Sequence, residues 1–317
     1  MQGWLLTLLF GVPCVVLVYV LRLGRRQDTV LPPPTAASVQ AVRDMHRDSE
    51  STDMAVVTGA SSGLGRSLAL GYARLGCGVV LCGRNRERLE SVRDECLSLG
   101  TPAEHTHICI ADMETDGVSC IVDALSKILM GEGEEERTYR LRHLVLNAGI
   151  SAHLSACDTD IETLDRVMAV NCTANCRLSS HLLPLMRLHN THLTVVSSMQ
   201  GLIPVPARAA YCASKHAVIG WFTSLACEEP EVSVTIACPS WIDTPLRSNS
   251  IGSVTDKTDK KAISADCAAS TIIRGAEDRK TFVFLKKQHA LYPSVFHACP
   301  RWFYRKVNSH YKRDAKH

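Results

Sequence analysis

Tyr211 and Lys215 stand four residues apart in Tyr211-Cys212-Ala213-Ser214-Lys215, so a helix puts both on one face. An ammonium near a phenol favours the phenolate and draws its pKa down from about 10, as general acid–base catalysis near neutral pH needs. Thirteen residues before Tyr211, Ser198 closes the apolar run Leu193-Thr194-Val195-Val196-Ser197-Ser198. At the end of a strand its hydroxyl can hydrogen-bond a substrate oxygen and stabilise charge developing there. Taken singly, each residue has a plainer role open to it. Ser198 could cap a turn, Tyr211 could fill a core, and Lys215 could be a surface charge.

A second group of residues suits a phosphate. The apolar Ala55-Val56-Val57 is followed by Thr58-Gly59-Ala60-Ser61-Ser62-Gly63-Leu64-Gly65 and then by an amphipathic run to about Leu75. Strand, glycine turn and helix in that order begin a dinucleotide-binding fold. Gly59 permits the tight turn, Gly63 leaves room for a pyrophosphate, and Gly65 lets the helix pack close to the strand. With Ser61, Ser62 and Leu64 they present backbone N–H groups at a helix N-terminus. A second strand, Gly78 to Cys82, runs into Gly83-Arg84-Asn85-Arg86 with no acid at its tip. A carboxylate there would bind ribose hydroxyls, whereas Arg84 can pair with a 2′-phosphate. Arg84 and Asn85 are therefore candidate cofactor residues, and NADP(H) is expected over NAD(H). The plainer role for Arg84 is a solvated charge opening the next helix.

The elements that must position these groups alternate along the chain. Ile108 to Met113 reads as a third strand, 117–130 as a helix, His143 to Leu146 as a strand, and Val232 to Cys238 as another. The acidic stretch Glu132 to Glu136 reads as a solvated loop. This order predicts an α/β, doubly wound parallel sheet, a single Rossmann-type domain over 54–300, with ligands at the carboxyl ends of its strands.

The TGxxxGxG turn, Asn147-Ala148-Gly149 and the Ser198, Tyr211, Lys215 series match in order and separation. Together they resemble the short-chain dehydrogenase/reductase family over about 54–285. The stretches VLCGRN, NAGIS and YCASKHA look most like its member-7 branch, with the 11β-hydroxysteroid dehydrogenases a similar neighbour. The resemblance implies an NADP(H)-dependent oxidoreductase acting on a carbonyl or secondary alcohol. It places Asp112 and Met113 against adenine and Asn147, Ala148 and Gly149 beside the ribose, with Tyr211 and Lys215 also touching the cofactor. It makes Asn171 the fourth member of a catalytic tetrad, holding a water that links Lys215 to solvent. Pro239, Ile242 and Thr244 belong to a segment that contacts the nicotinamide amide and the phosphates, with Ser240 where the motif usually has Gly. Residues 246–265 fall where the family carries a mobile substrate lid. A catalytically silent NADP-binding sensor or membrane scaffold is the alternative. An epimerase of sugar nucleotides is disfavoured by the glycine spacing and the short C-terminal region.

The 317 residues are 46% hydrophobic and 21% charged, which excludes a disordered chain. A net charge of +3 calls for no nucleic acid partner. The fourteen cysteines contain no CxxC pair. Cys172 with Cys176, and His189 with His192, have ligand-like spacing but no local partners, so reduced thiols and no metal are expected. Trp4 to Leu21 carries no charge and is followed by Arg22, Arg25 and Arg26. This predicts an N-terminal transmembrane helix within residues 1–26, with a cleaved signal peptide as its rival. A linker over 27–53 follows. The positive-inside rule puts the body on the cytosolic side, at the endoplasmic reticulum on this reading. The sequon Asn171-Cys172-Thr173 agrees, because glycosylation there would destroy the site. A basic tail, 301–317, can lie on an anionic membrane surface. That setting suggests a lipophilic substrate, such as a steroid, retinoid or fatty aldehyde, and the resemblance allows a homodimer.

Overall fold

The structure is a computed structural model that describes residues 51–130, 139–252 and 262–314. Of the nine strands among the described residues, seven make the main sheet: β1 (Thr52–Thr58), β2 (Gly78–Gly83), β3 (Thr106–Ile110), β4 (Tyr139–Leu146), β5 (His192–Val196), β6 (Ser233–Ala237) and, at the far edge, Phe282–Val283. They form one parallel sheet in which β1 lies between β2 and β4. From β1 the chain winds outward through β2 to β3, then returns to the other side for β4, β5 and β6. The crossovers are α1 (Gly63–Arg74), α2 (Arg86–Ser98), α3 (Gly117–Met130), a helix that runs Ile161–Met168 (α4) and Ala174–His189 (α5) through a π-turn at Ala169–Thr173, and α6 (Ala209–Glu228).

Both faces of the sheet are covered, so the central strands are apolar on both sides rather than alternating. Met54, Val56, Leu144 and Leu146 face Ile121, Leu178 and Phe222. The residues between them, Ala55, Val57 and Val145, face Leu68, Tyr72 and Ile272. The period-two alternation of strand side chains divides one apolar run between two cores. Ile272 lies on α7 (Ala265–Glu277), which packs against α1.

The expected doubly wound parallel sheet is present, with small shifts of boundary. β1 starts at Thr52, inside the expected linker, because the Arg140 Nε donates to Asp53 Oδ1 at 2.6 Å and draws two more polar residues into the ladder. β3 stops at Ile110, so Asp112 and Met113 lie in the loop beyond it. The helix expected at 117–130 has those limits. Part of the tail, Pro300–Asp314, is helical. The anchor at 1–26, most of the linker and the acidic loop lie outside the described residues, as do 253–261 of the expected lid. Among the described residues no helix is long and apolar enough to cross a membrane.

Candidate active site

The β1–α1 turn is held from the neighbouring strand. Thr58 Oγ1 accepts hydrogen bonds from the backbone N–H of Asn147 at 2.9 Å and of Ala148 at 3.0 Å. Asn147 Nδ2 returns one to the Thr58 carbonyl at 3.0 Å. Gly59 and Gly63 have φ of 67° and 52°, a region that penalises a side chain. Gly65 is required for a different reason: a Cβ there would overlap the Gly59 carbonyl. No side chain caps α1, so its first N–H groups are left to whatever occupies the cleft that Ser62, Gly63 and Leu64 line.

At the tip of β2, Arg84 is over half exposed and its Nη1 lies 3.7 Å from Asp112 Oδ2. Asn85 caps α2, accepting from the Arg88 N–H at 2.8 Å. Its side chain is thereby committed to the helix, which the sequence reading did not anticipate. Arg88, in the first turn of α2, also lines the cleft and was missed. It carries the spacing of a second cation after Arg84. Asp112 shapes its own loop, with Oδ1 accepting from the Glu114 N–H at 3.0 Å.

β5 ends just before Ser197 and Ser198, and α6 places Tyr211 and Lys215 on the side facing them. Ser198, Tyr211 and Lys215 are all buried and line the same cleft. Ser198 does cap the following turn, its Oγ accepting from the Gln200 N–H at 3.1 Å. Lys215 is no surface charge: it is 4% exposed, its ammonium donates to the Val196 carbonyl at 2.9 Å, and it lies 5.8 Å from the centre of the Tyr211 ring.

The electrostatics correct the expectation of a lowered phenol. Burial raises the Tyr211 pKa, against the pull of the Arg208 guanidinium and the Ser198 hydroxyl. Burial also lowers that of Lys215 from 10.5 to about 8. In both groups desolvation is the largest cause and outweighs the charges and hydrogen bonds around them. Arg208, absent from the sequence reading, is the cation that acts on the phenol. It is buried, its guanidinium carbon is 5.7 Å from the ring centre, and Nη1 donates to Ser151 Oγ at 2.8 Å. No spacing motif marks it.

Asn171 sits in the π-turn and is fully buried, out of reach of glycosylation. Its Oδ1 accepts from the Ile150 N–H at 2.7 Å, and its Nδ2 donates to the Ile150 carbonyl at 2.9 Å and to Ser214 Oγ at 3.0 Å. Its own carbonyl accepts from Asn175 Nδ2 at 2.8 Å. The side chain thus pins the loop after β4, and Gly149 leaves room beside it for Asn171 Oδ1 and Lys215 Nζ, which a Cβ there would crowd.

The segment after β6 closes the cleft. The Pro239 carbonyl accepts from the Met199 N–H at 2.9 Å. Ser240 has no positive φ, so its replacement of Gly strains nothing. Thr244 packs against Gly63. Pro239, Ile242 and Thr244 all line the cleft, as do Gly59, Asn147, Ala148, Gly149, Asp112 and Met113. The cleft is about 880 Å³, and Trp241, Leu246 and Tyr292, each more than a third exposed, also line it. Cys172 and Cys176 touch, Sγ to Sγ 3.8 Å, and the cysteines of the described residues are free thiols.

Residues 53–253 match a family model described as short chain dehydrogenase. A bovine (Bos taurus) protein named dehydrogenase/reductase SDR family member 7B is 33% identical over 272 residues, 82% of each chain. Among solved structures, a short-chain dehydrogenase from Sphingobium yanoikuyae in complex with NADPH aligns with a TM-score of 0.66 at 21% identity, covering 80% of this chain and 95% of that one. A short-chain dehydrogenase/reductase from Burkholderia phymatum in complex with NAD aligns with a TM-score of 0.65 at 20% identity, covering 78% and 92%. At such identities the two structures speak for the fold.

Proposed function

Because the chain belongs to the short-chain dehydrogenase/reductase family, we propose that it is an NADP(H)-dependent oxidoreductase acting on a carbonyl or secondary alcohol of a lipophilic substrate, with Tyr211 as general acid or base. The observation that carries this reading is the meeting of Ser198, Tyr211 and Lys215 in the same cleft that the glycine turn lines. The turn fits a dinucleotide: Gly65 fills a space that a Cβ would overfill, and the first N–H groups of α1 are uncapped toward the cleft. Gly59, Ser61, Ser62, Gly63 and Leu64 would hold the phosphates, and Arg84, with Arg88, a 2′-phosphate.

A nicotinamide bound there supplies or accepts the hydride. The rest falls to side chains. Ser198 donates a hydrogen bond to the substrate oxygen, and Tyr211 gives that oxygen a proton in reduction or takes one in oxidation. A phenol whose pKa burial raises stays protonated at neutral pH, the form that reduction consumes. Lys215 supplies positive charge below the phenol while the pH stays under about 8. Trp241, Leu246 and Tyr292, exposed apolar side chains of the cleft lining, support an apolar substrate. NADPH oxidation against a panel of lipophilic ketones and aldehydes tests the reading. Tyr211→Phe should lower kcat by a factor of roughly 10² to 10⁴, and activity that survives unchanged would remove Tyr211 from its role.

We also propose that residues 1–26 anchor the enzyme in the endoplasmic reticulum membrane with the catalytic domain in the cytosol. On Pro300–Asp314, Trp302 and Tyr304 are exposed beside Arg301, Arg305 and Lys306, which suits an anionic lipid surface. In sealed microsomes, external protease should digest the body. Full protection would place it in the lumen instead.

A further inference from the structure

On the face of the sheet covered by α1 and α7, away from the cleft, three potential ligands meet. His143 of β4 and His192 of β5 are register partners in adjacent strands, so their side chains leave the same face. Their rings lie 5.4 Å apart at 80°. Glu277, the last residue of α7, brings its Oε1 to 3.7 Å from His143 Nε2. One ligand atom from each of the three falls within 4.8 Å of the others. His143 is fully buried and His192 nearly so, while the Glu277 side chain is 25% exposed and leaves a way in from solvent.

We propose that His143, His192 and Glu277 bind a divalent cation of the zinc class as a structural staple of the sheet. Two imidazoles and a carboxylate are a donor set that zinc takes at about 2.0–2.2 Å in tetrahedral geometry. The edges of such a tetrahedron are about 3.3 Å, so ligand atoms that now lie within 4.8 Å of one another must close by up to about 1.5 Å, which side-chain rotations supply. Magnesium or calcium would prefer an all-oxygen site.

The Tyr72 ring lies against His143, 4.6 Å between centres, and walls the site on that side. His143 lies four residues before Asn147, roughly 13 Å along the strand, so the ion would tie β4, β5 and α7 together without touching the reacting atoms.

The test uses the full chain, stripped with a chelator. Zinc should bind at one equivalent per chain and raise Tm, and cobalt in its place should give the absorption of a tetrahedral site without a thiolate-to-cobalt charge-transfer band. Glu277→Gln and His192→Asn should each weaken zinc binding at least tenfold in competition with a chromophoric chelator. Should either variant not fold, the cobalt spectrum of the unmodified chain decides. No stoichiometric metal, a thiolate band, or affinity unchanged in both variants would overturn the proposal. None of these readouts depends on enzymatic activity.

Discussion

At the scale of single residues, the site keeps a charge where folding would rather have none. Lys215 has its proton affinity lowered from 10.5 to about 8 by burial. A lysine with a depressed pKa costs stability while it is charged: the penalty is full below pH 8 and vanishes as the pH rises toward 10.5, where the unfolded chain also loses its proton. The shift corresponds to about 3 kcal/mol at neutral pH. Lys215→Met removes that penalty but leaves the Val196 carbonyl without its donor, which costs about 1–3 kcal/mol. The expected net result is a gain of about 1 kcal/mol at pH 7, with NADPH-dependent activity lost, and a net loss of about 1 kcal/mol at pH 10, where less than about 1 kcal/mol of the penalty is left to remove. Urea unfolding at the two pH values measures this. A variant less stable than the parent at pH 7 would mean that the ammonium–carbonyl bond outweighs desolvation.

At the scale of elements, the β5–α6 connection aims the groups that act on Tyr211. Ala207 has φ of 53° although it carries a Cβ, a conformation that costs about 1–2 kcal/mol outside glycine. The next residue, Arg208, enters the cleft wall and reaches Ser151 from this kink. Ala207→Gly should relieve the strain and change stability by between 0 and about +1 kcal/mol with kcat kept. Ala207→Val should lose at least about 1 kcal/mol and lower kcat by misaiming Arg208. Equal behaviour of the two variants in thermal unfolding and steady-state kinetics would dismiss the kink as a device. This element also marks how far the site was legible in the sequence. The glycine turn, Ser198, Tyr211 and Lys215 could be found because each signal is a short spacing within one segment. Arg208 could not, since its meaning comes from burial beside Ser151, far upstream. His192 looked partnerless for the same reason: His143 and Glu277 reach it only through the sheet and α7. The sign of the Tyr211 shift was misjudged because spacing reports which charges are near and says nothing about desolvation.

At the scale of the molecule, the cleft exists because the winding reverses between β1 and β4. The chain departs in opposite directions from these neighbouring strands, so the loops after them part and leave a crevice at their carboxyl ends. That architecture was readable from the alternation of apolar runs alone, while the cofactor choice hangs on the rim, where Arg84 faces Asp112 at 3.7 Å. A 2′-phosphate would draw Arg84 away from a carboxylate that is more than a third exposed and holds it weakly. Binding to the native fold alone raises stability by RT ln(1 + [L]/Kd), about 2.7 kcal/mol at a hundred times Kd. For a domain of this size that is a rise in Tm of roughly 5–10 °C. NADPH should produce this rise at concentrations where NADH gives little, because only the former uses the arginine pair. In Arg84→Asp the NADPH shift should shrink to that of NADH, while the NADH shift stays where it was, since the new carboxylate repels a phosphate and can accept ribose hydroxyls. Equal loss of both shifts would mean that Arg84 supports the loop rather than the phosphate, and the preference for NADP(H) would then have to rest on Arg88.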